Sequence, residues 1–188
     1  CHSLFIVELD GQEKSVRSEI RDLERVIRAS RPAPLFVDRA IGPVACEKLW
    51  QIRREFSYSL RDTGLTKLNQ DIVVPRGRLE DLFQFTARLQ KKYGLLVAAF
   101  GHAGDGNIHV NIMLDRAVPG ADRRSQAALD DLFRQVLAWG GSITGEHGIG
   151  LAKLRWWPQA ADESVRALHR QVKRALDPRG ILNPGKFI

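Results

Sequence analysis

Two strand-length runs meet across a tight, glycine-rich turn. Residues 95–103 begin Leu95-Leu96-Val97, and residues 108–114 run from Ile108 to Leu114. Asp105-Gly106 between them is a two-residue hairpin signal, because a type I′ turn needs positive φ. Such a hairpin commits the sheet to antiparallel pairing and breaks the strict strand–helix alternation of a doubly wound parallel sheet. The chain must therefore place helices against an antiparallel sheet.

Periodicity supplies the other elements. Residues 4–9 are an apolar strand candidate ended by Asp10-Gly11. Val16, Ile20, Leu23 and Ile27 then fall at helical spacing until Pro32 and Pro34 stop the helix. Residues 35–37 read as a short strand. A second helix follows Gly42-Pro43 with Leu49, Ile52, Phe56 and Leu60 on one face. Residues 61–69 read as a polar loop and residues 71–74 as a strand closed by Pro75. A third helix spans residues 79–93 and ends at Gly94. Asp122 is placed to cap a fourth helix with Leu129, Leu132, Phe133 and Val136, stopped by Gly140-Gly141. A last helix carries Val165, Leu168, Val172 and Leu176. The expectation is an α+β fold: a ferredoxin-like plait of split βαβ type, present twice, with an antiparallel sheet and helices on one face. At 188 residues this is one domain or two tightly fused lobes.

Composition narrows the function classes. With 44% hydrophobic and 27% charged residues the chain is globular rather than disordered. No apolar run approaches the roughly 18–20 residues of a spanning helix, and no signal-peptide pattern is visible. That predicts a cytoplasmic protein with no transmembrane segment. Two cysteines, Cys1 and Cys46, support neither a disulfide framework nor a Cys-rich metal site; Cys46 reads as a buried thiol. The net charge of +7 admits an anionic partner. Lys and Arg are scattered over helix faces, however, and only four Trp and two Tyr are available for stacking, so nucleic acid is not expected.

Chemistry-bearing residues concentrate in two stretches. In the first, residues 101–111, a two-residue turn at Asp105-Gly106 sets His102 opposite His109, with Asn111 on the same face. An odd-length loop would break that parity. In the second, residues 140–150, Glu146 and His147 are flanked by glycines, and in extended backbone they serve different partners. His102, His109 and Glu146 would make a two-His-one-carboxylate metal set, with His147 free as a base beside it. The competing reading is a structural turn with incidental histidines. His2 and His169 read as surface or satisfied residues, Asp105 and Asn107 as turn supports, Trp156 and Trp157 as packing, and Lys153 as a surface charge.

At these residues the chain resembles the C-terminal domain of the FAD-linked oxidase family, which includes D-lactate dehydrogenase, the glycolate oxidase flavin subunit and D-2-hydroxyglutarate dehydrogenase. Residues 101–109 match its GHxGDGNxH motif, residues 145–150 its GEHGIG motif, and residues 177–186 its closing DPxGxxNPGK motif. Residues 49–53 and 71–75 fit less strongly. The resemblance covers nearly the whole chain, 1–188. It implies that an upstream FAD-binding domain, absent from this sequence, carries the flavin, and that this piece alone does not turn over substrate.

The resemblance also implies roles. His102, His109 and Glu146 match metal ligands, commonly for zinc, and His147 matches the catalytic base. Asn111 matches a substrate contact. Arg53 and Lys67 match cations that grip a substrate carboxylate, with Ser57 one turn from Arg53. Asn183 matches a residue that approaches the flavin. The implied partners are a small 2-hydroxy acid, the FAD-binding domain of the same polypeptide, and an electron-acceptor protein or quinone, with a peripheral position at the inner membrane as one setting. Two alternatives stand beside this: a metal-free FAD alcohol oxidase of the same superfamily, and a stand-alone basic module binding metal or anions.

Overall fold

The structure, a computed structural model, describes residues 3–186; Cys1, His2, Phe187 and Ile188 lie outside them. The chain divides into two compact units, the first ending at Ser59 and the second beginning at Leu60.

The first unit carries α1 (Glu13–Ala29) and most of α2 (Pro43–Arg61). Val16, Ile20, Leu23 and Ile27 are half-buried along one stripe of α1, as their spacing predicts. Its outer face carries the i,i+4 ion pairs Arg17–Glu13 and Arg28–Glu24. Residues 4–9 and 35–37, expected as strands, carry no strand and join no sheet. An apolar run becomes a strand only where a neighbouring ladder takes up its backbone groups, so the expected second plait is not formed among the described residues. Cys46 is half-buried rather than buried, its Sγ 3.8 Å from the Ala40 carbonyl.

The second unit holds β1 (Thr66–Val73), α3 (Leu79–Tyr93), β2 (Leu96–His102), β3 (Asn107–Leu114), α4 (Ala121–Ala138), the short α5 (Trp157–Ala160) and α6 (Glu163–Leu176). The sheet order is β1-β3-β2 and both pairings are antiparallel. Thus β1 and β2 run parallel with β3 between them, and α3 makes the connection. After α4 the chain returns to the free edge of β1 through one antiparallel bridge, Val73 with Ser142. The fold is α+β, as expected.

Strand β1 begins five residues earlier than the sequence reading placed it. Lys67, Asn69 and Asp71 alternate with Leu68, Gln70 and Ile72, so a polar-faced strand had been read as a loop. The alternation sorts the sheet into two faces. Ile72, Ile108, Val110 and Ile112 share one face and pack with Leu82 and Leu89 of α3 and with Leu129, Leu132, Phe133 and Val136 of α4. Helix α3 ends at Gly94 in the left-handed region, as expected. Gly120, not Asp122, occupies the N-cap of α4, and Asp122 lies in its first turn, where a negative charge suits the helix dipole. Asp162 caps α6 by accepting from the Val165 amide at 2.9 Å. The expected core stripe of α6 is exposed, from Val165 to Leu176, and the helix buries none of its residues.

Candidate functional site

The face of the sheet opposite the helices carries the chemistry. Lys67, Asn69, Asp71 and Val73 of β1 lie opposite Met113, Asn111, His109 and Asn107 of β3. Phe100 and His102 of β2 lie opposite His109 and Asn107. Directly paired residues share a face, so Lys67, His102, His109 and Asn111 are all on this one. Arg53 and Ser57 lie one turn apart on α2, in the first unit. Asn183 is exposed in the tail, its backbone left-handed at φ 48°.

The register corrects the expected hairpin. The connection is four residues long, 103–106, and His102 stands opposite Asn107 instead of His109. Gly106 takes φ +79° at the last turn position and donates to the His102 carbonyl at 3.0 Å. A Cβ at Gly106 would lie 2.0 Å from the Val74 carbonyl oxygen, so the close approach to β1 demands glycine. Asp105 accepts from the Asn107 amide at 2.9 Å and supports the turn as predicted. A two-residue lengthening is even, so His102 keeps its face and moves two ladder positions toward the turn. It is now a diagonal neighbour of His109, at a Cβ separation somewhat under about 7–8 Å in such ladders.

The glycine-rich segment 142–150 folds over this face. Glu146 Oε1 lies 3.8 Å from His109 Nε2 and 3.7 Å from His147 Nε2. The His109 and His147 rings are 5.7 Å apart between centroids, and the Phe100 ring lies 6.0 Å from that of His109. His109 is mostly shielded, whereas Glu146 and His147 are open to solvent. Among the described residues, Asp71, His109 and Glu146 each offer a donor atom, all within 4.8 Å of one another. His102 is not in that group.

Asp71 is the residue the sequence reading missed. Fully buried, it accepts at Oδ2 from the backbone amides of Gly145, Glu146 and His147, at 2.8, 2.7 and 2.9 Å. Its Oδ1 accepts from Asn107 Nδ2 at 2.6 Å, and Asn107 also donates to the Ile72 carbonyl at 3.1 Å. Burial by itself raises the Asp71 pKa, but the amide and Asn107 bonds to the charged form outweigh it and hold the carboxyl well below the usual range. The available signal was a carboxylate at the polar parity of a strand that continues Ile72-Val73-Val74, a place where an acid needs partners.

Lys153 is likewise no surface charge. It is 5% exposed and donates to the carbonyls of Asp71 and Ile143 at 2.9 and 2.7 Å. Burial pulls its pKa down, and the Asp71 charge opposes that shift. The following residues fix its backbone. Arg155 forks onto Asp130 of α4, and Trp156 donates to the same carboxylate at 2.7 Å while packing edge-on against Phe133. Trp156 is thus core packing, as expected, and Trp157 packs on His169, whose Nδ1 lies 2.8 Å from the Val165 carbonyl.

Asn111 is buried. Its Nδ2 donates to the Ala98 and His109 carbonyls, each at 3.2 Å, and its Oδ1 meets no donor among the described residues. A buried acceptor left open is costly unless a ligand or water fills it. The tail is organised by Asp177, which accepts from the Ile181 and Leu182 amides at 2.9 Å each and from Lys173 at 2.5 Å. No helix of the described residues is long and apolar enough to cross a membrane.

An α+β domain with one apolar, helix-covered sheet face and one face furnished with His, Glu, Asp, Asn and Lys is arranged to hold a small polar ligand or an ion. Residues 1–187 match the family described as "FAD linked oxidases, C-terminal domain", and the chain belongs to it. It is 31% identical over 189 residues to the glycolate oxidase subunit GlcD of Escherichia coli K12, covering 100% of this chain and 37% of that protein. It is 30% identical over 186 residues to the mitochondrial cytochrome D-lactate dehydrogenase of Arabidopsis thaliana (98% and 32%). It is 30% identical over 191 residues to the mitochondrial D-2-hydroxyglutarate dehydrogenase of Danio rerio (100% and 34%). The chain therefore spans about a third of the length of these relatives. The family implies FAD.

The donor set suits a divalent cation. Imidazole nitrogen and carboxylate oxygen are ligands zinc accepts at roughly 2.0–2.2 Å. Two donors at such distances from one ion stand more than 3 Å apart, close to the 3.8 Å between His109 and Glu146.

Proposed function

We propose that this chain is the substrate and metal-site domain, spanning residues 1–188, of an FAD-dependent dehydrogenase acting on small 2-hydroxy acids. The observation that carries the reading is the approach of His109, Glu146 and His147 on the sheet face opposite the helices, within the span matched to the family. The sheet is read as a ferredoxin-like plait, its fourth strand reduced to the Val73–Ser142 bridge.

His102, His109 and Glu146 would hold the metal, with zinc the expected ion, and when bound it supplies Lewis acidity toward the substrate hydroxyl. FAD, carried by the upstream domain, supplies the two-electron acceptor for the hydride that leaves the α-carbon. His147 takes the hydroxyl proton as the C–O bond becomes a carbonyl. Asn111, with an acceptor to fill, takes a hydrogen bond from the substrate. Lys67 neutralises the carboxylate from the same sheet face. Arg53, with Ser57 one turn away on α2, is assigned to gripping a substrate carboxylate by the resemblance to the family alone. Asn183 approaches the flavin. The electron acceptor would be a protein or quinone, and the setting cytoplasmic or peripheral at the inner membrane.

The test is rapid mixing of the full-length flavoprotein with glycolate, D-lactate and D-2-hydroxyglutarate, with and without chelator, following flavin absorbance. Reduction by at least one of them, suppressed by chelation, is expected. An oxidised flavin with all three would refute the reading.

A further inference from the structure

The backbone of the Glu146–His147 loop is held by a single buried carboxylate on another element. Three consecutive amides, 145 to 147, converge on Asp71 Oδ2, and the Thr144 hydroxyl lies 3.5 Å from the same oxygen. The other oxygen, Oδ1, engages Asn107, two residues before His109 on β3. One side chain thus spans the two segments whose side chains approach each other above it. Lys153 fixes the arrangement from behind by donating to the backbone carbonyls on both sides, Asp71 in β1 and Ile143 at the root of the loop.

The loop is shaped to admit this contact. A Cβ at Gly145 would stand 2.2 Å from Asn107 Nδ2 and 2.7 Å from Asp71 Oδ1, so a side chain there would push the loop off the carboxylate. Oδ2 receives three amides, enough to occupy its lone pairs. Oδ2 is therefore committed to the loop backbone, while Oδ1 takes the Asn107 amide.

We propose that Asp71 is a positioning residue: by clamping the amides of Gly145, Glu146 and His147 it sets where the Glu146 and His147 side chains stand relative to His109. This deepens the 2-hydroxy acid reading and rests on it for the catalytic consequence. Charge-assisted bonds to backbone amides are stronger than neutral ones. Replacing the charge with an isosteric amide keeps the shape and weakens all three, while setting its own NH2 against either the loop amides or Asn107.

The experiment uses the full-length protein with Asp71→Asn, Asp71→Glu and Gly145→Ala, and two readouts. The first is hydrogen–deuterium exchange of the peptide containing residues 145–147, which needs no turnover. Exchange about tenfold faster or more is expected in Asp71→Asn and Gly145→Ala. The second is flavin reduction by whichever 2-hydroxy acid reduces the wild type. The limiting rate is expected to fall about 10- to 100-fold, with FAD retained and the half-saturating concentration changed less than about threefold. In a His147→Gln background Asp71→Asn should add less than about threefold, because the two act as one unit. Asp71→Glu, which keeps the charge, should recover part of the loss. Should Asp71→Asn fail to fold, Gly145→Ala carries both readouts.

Unchanged exchange at 145–147 in a folded variant overturns the proposal. So does faster exchange with an unchanged reduction rate, or an effect that multiplies fully with that of His147→Gln. If no 2-hydroxy acid reduces the wild-type flavin, the functional reading fails, and exchange alone then decides whether Asp71 holds the loop.

Discussion

Lys153 and Asp71 meet through the main chain: the buried ammonium donates to the Asp71 carbonyl at 2.9 Å rather than pairing directly with its carboxylate. The carboxylate is left to the loop amides, and the cation compensates its charge from a distance. Lys153 also lies 6.0 Å from the centre of the Phe133 ring. Lys153→Met keeps the stem, removes the charge, and strips two buried carbonyls and one buried carboxylate of their cation. Breaking a buried charge arrangement from one side typically costs about 3–5 kcal/mol. Urea denaturation should show the unfolding free energy falling by that order, read as a lower midpoint with little change in slope. A loss under about 1 kcal/mol would mean that Lys153 is not a structural cation.

The tail gives a pH prediction. The Lys173 contact is the largest influence on Asp177; with the Ile181 and Leu182 amides it outweighs burial and holds the carboxyl below its ordinary value. With the folded pKa below the unfolded value of about 3.9, the unfolded tail binds more protons between the two, so stability rises with pH there. The tail's ordering is therefore fully present above about pH 4 and is lost as pH falls through the folded pKa. Asp177→Asn removes that dependence and loosens residues 181–186. Trypsin should then cut after Arg179 about tenfold faster at neutral pH. Equal cleavage of the two proteins would sink the claim.

How much of this was legible in the sequence follows from the range of each interaction. α1, α3 and α4 were readable because helical spacing is local, and so was the hairpin as an element. Its register was not: two-residue and four-residue turns both suit the Gly-Asp-Gly run, and the choice is made by Gly106 packing on the Val74 carbonyl, 32 positions earlier in the chain. Parity survived because the lengthening was even, which is why His102 and His109 were correctly placed on one face. The start of β1 was missed because Lys67 and Asn69 look like loop residues until their strand partners Met113 and Asn111 are known. Asp71 and Lys153 were missed for the same reason, since the Asp71 contacts with the loop join residues more than 70 positions apart. Residues 4–9 show the converse, since apolar character without a partner ladder did not make a strand.

The metal assignment predicts separable losses. His109 and Glu146 already stand 3.8 Å apart, whereas His102 must reach diagonally from the end of β2. His102→Ala, His109→Ala and Glu146→Gln should each lower bound divalent metal in elemental analysis of the purified full-length protein. Chelation should lower activity, and zinc should restore it in the wild type but not in His109→Ala. Undiminished metal in His102→Ala alone would remove that residue from the ligand set and leave the other two.

The last prediction concerns His147, half-exposed and 3.7 Å from Glu146. Its place at the rim of the cluster suits a group that receives a proton and releases it to solvent between turnovers. Loss of a general base typically costs about 10²–10⁴-fold. His147→Ala in the full-length enzyme should therefore leave FAD bound, leave metal content near wild type, and slow flavin reduction within that range. Reduction at the wild-type rate would transfer the base to another group.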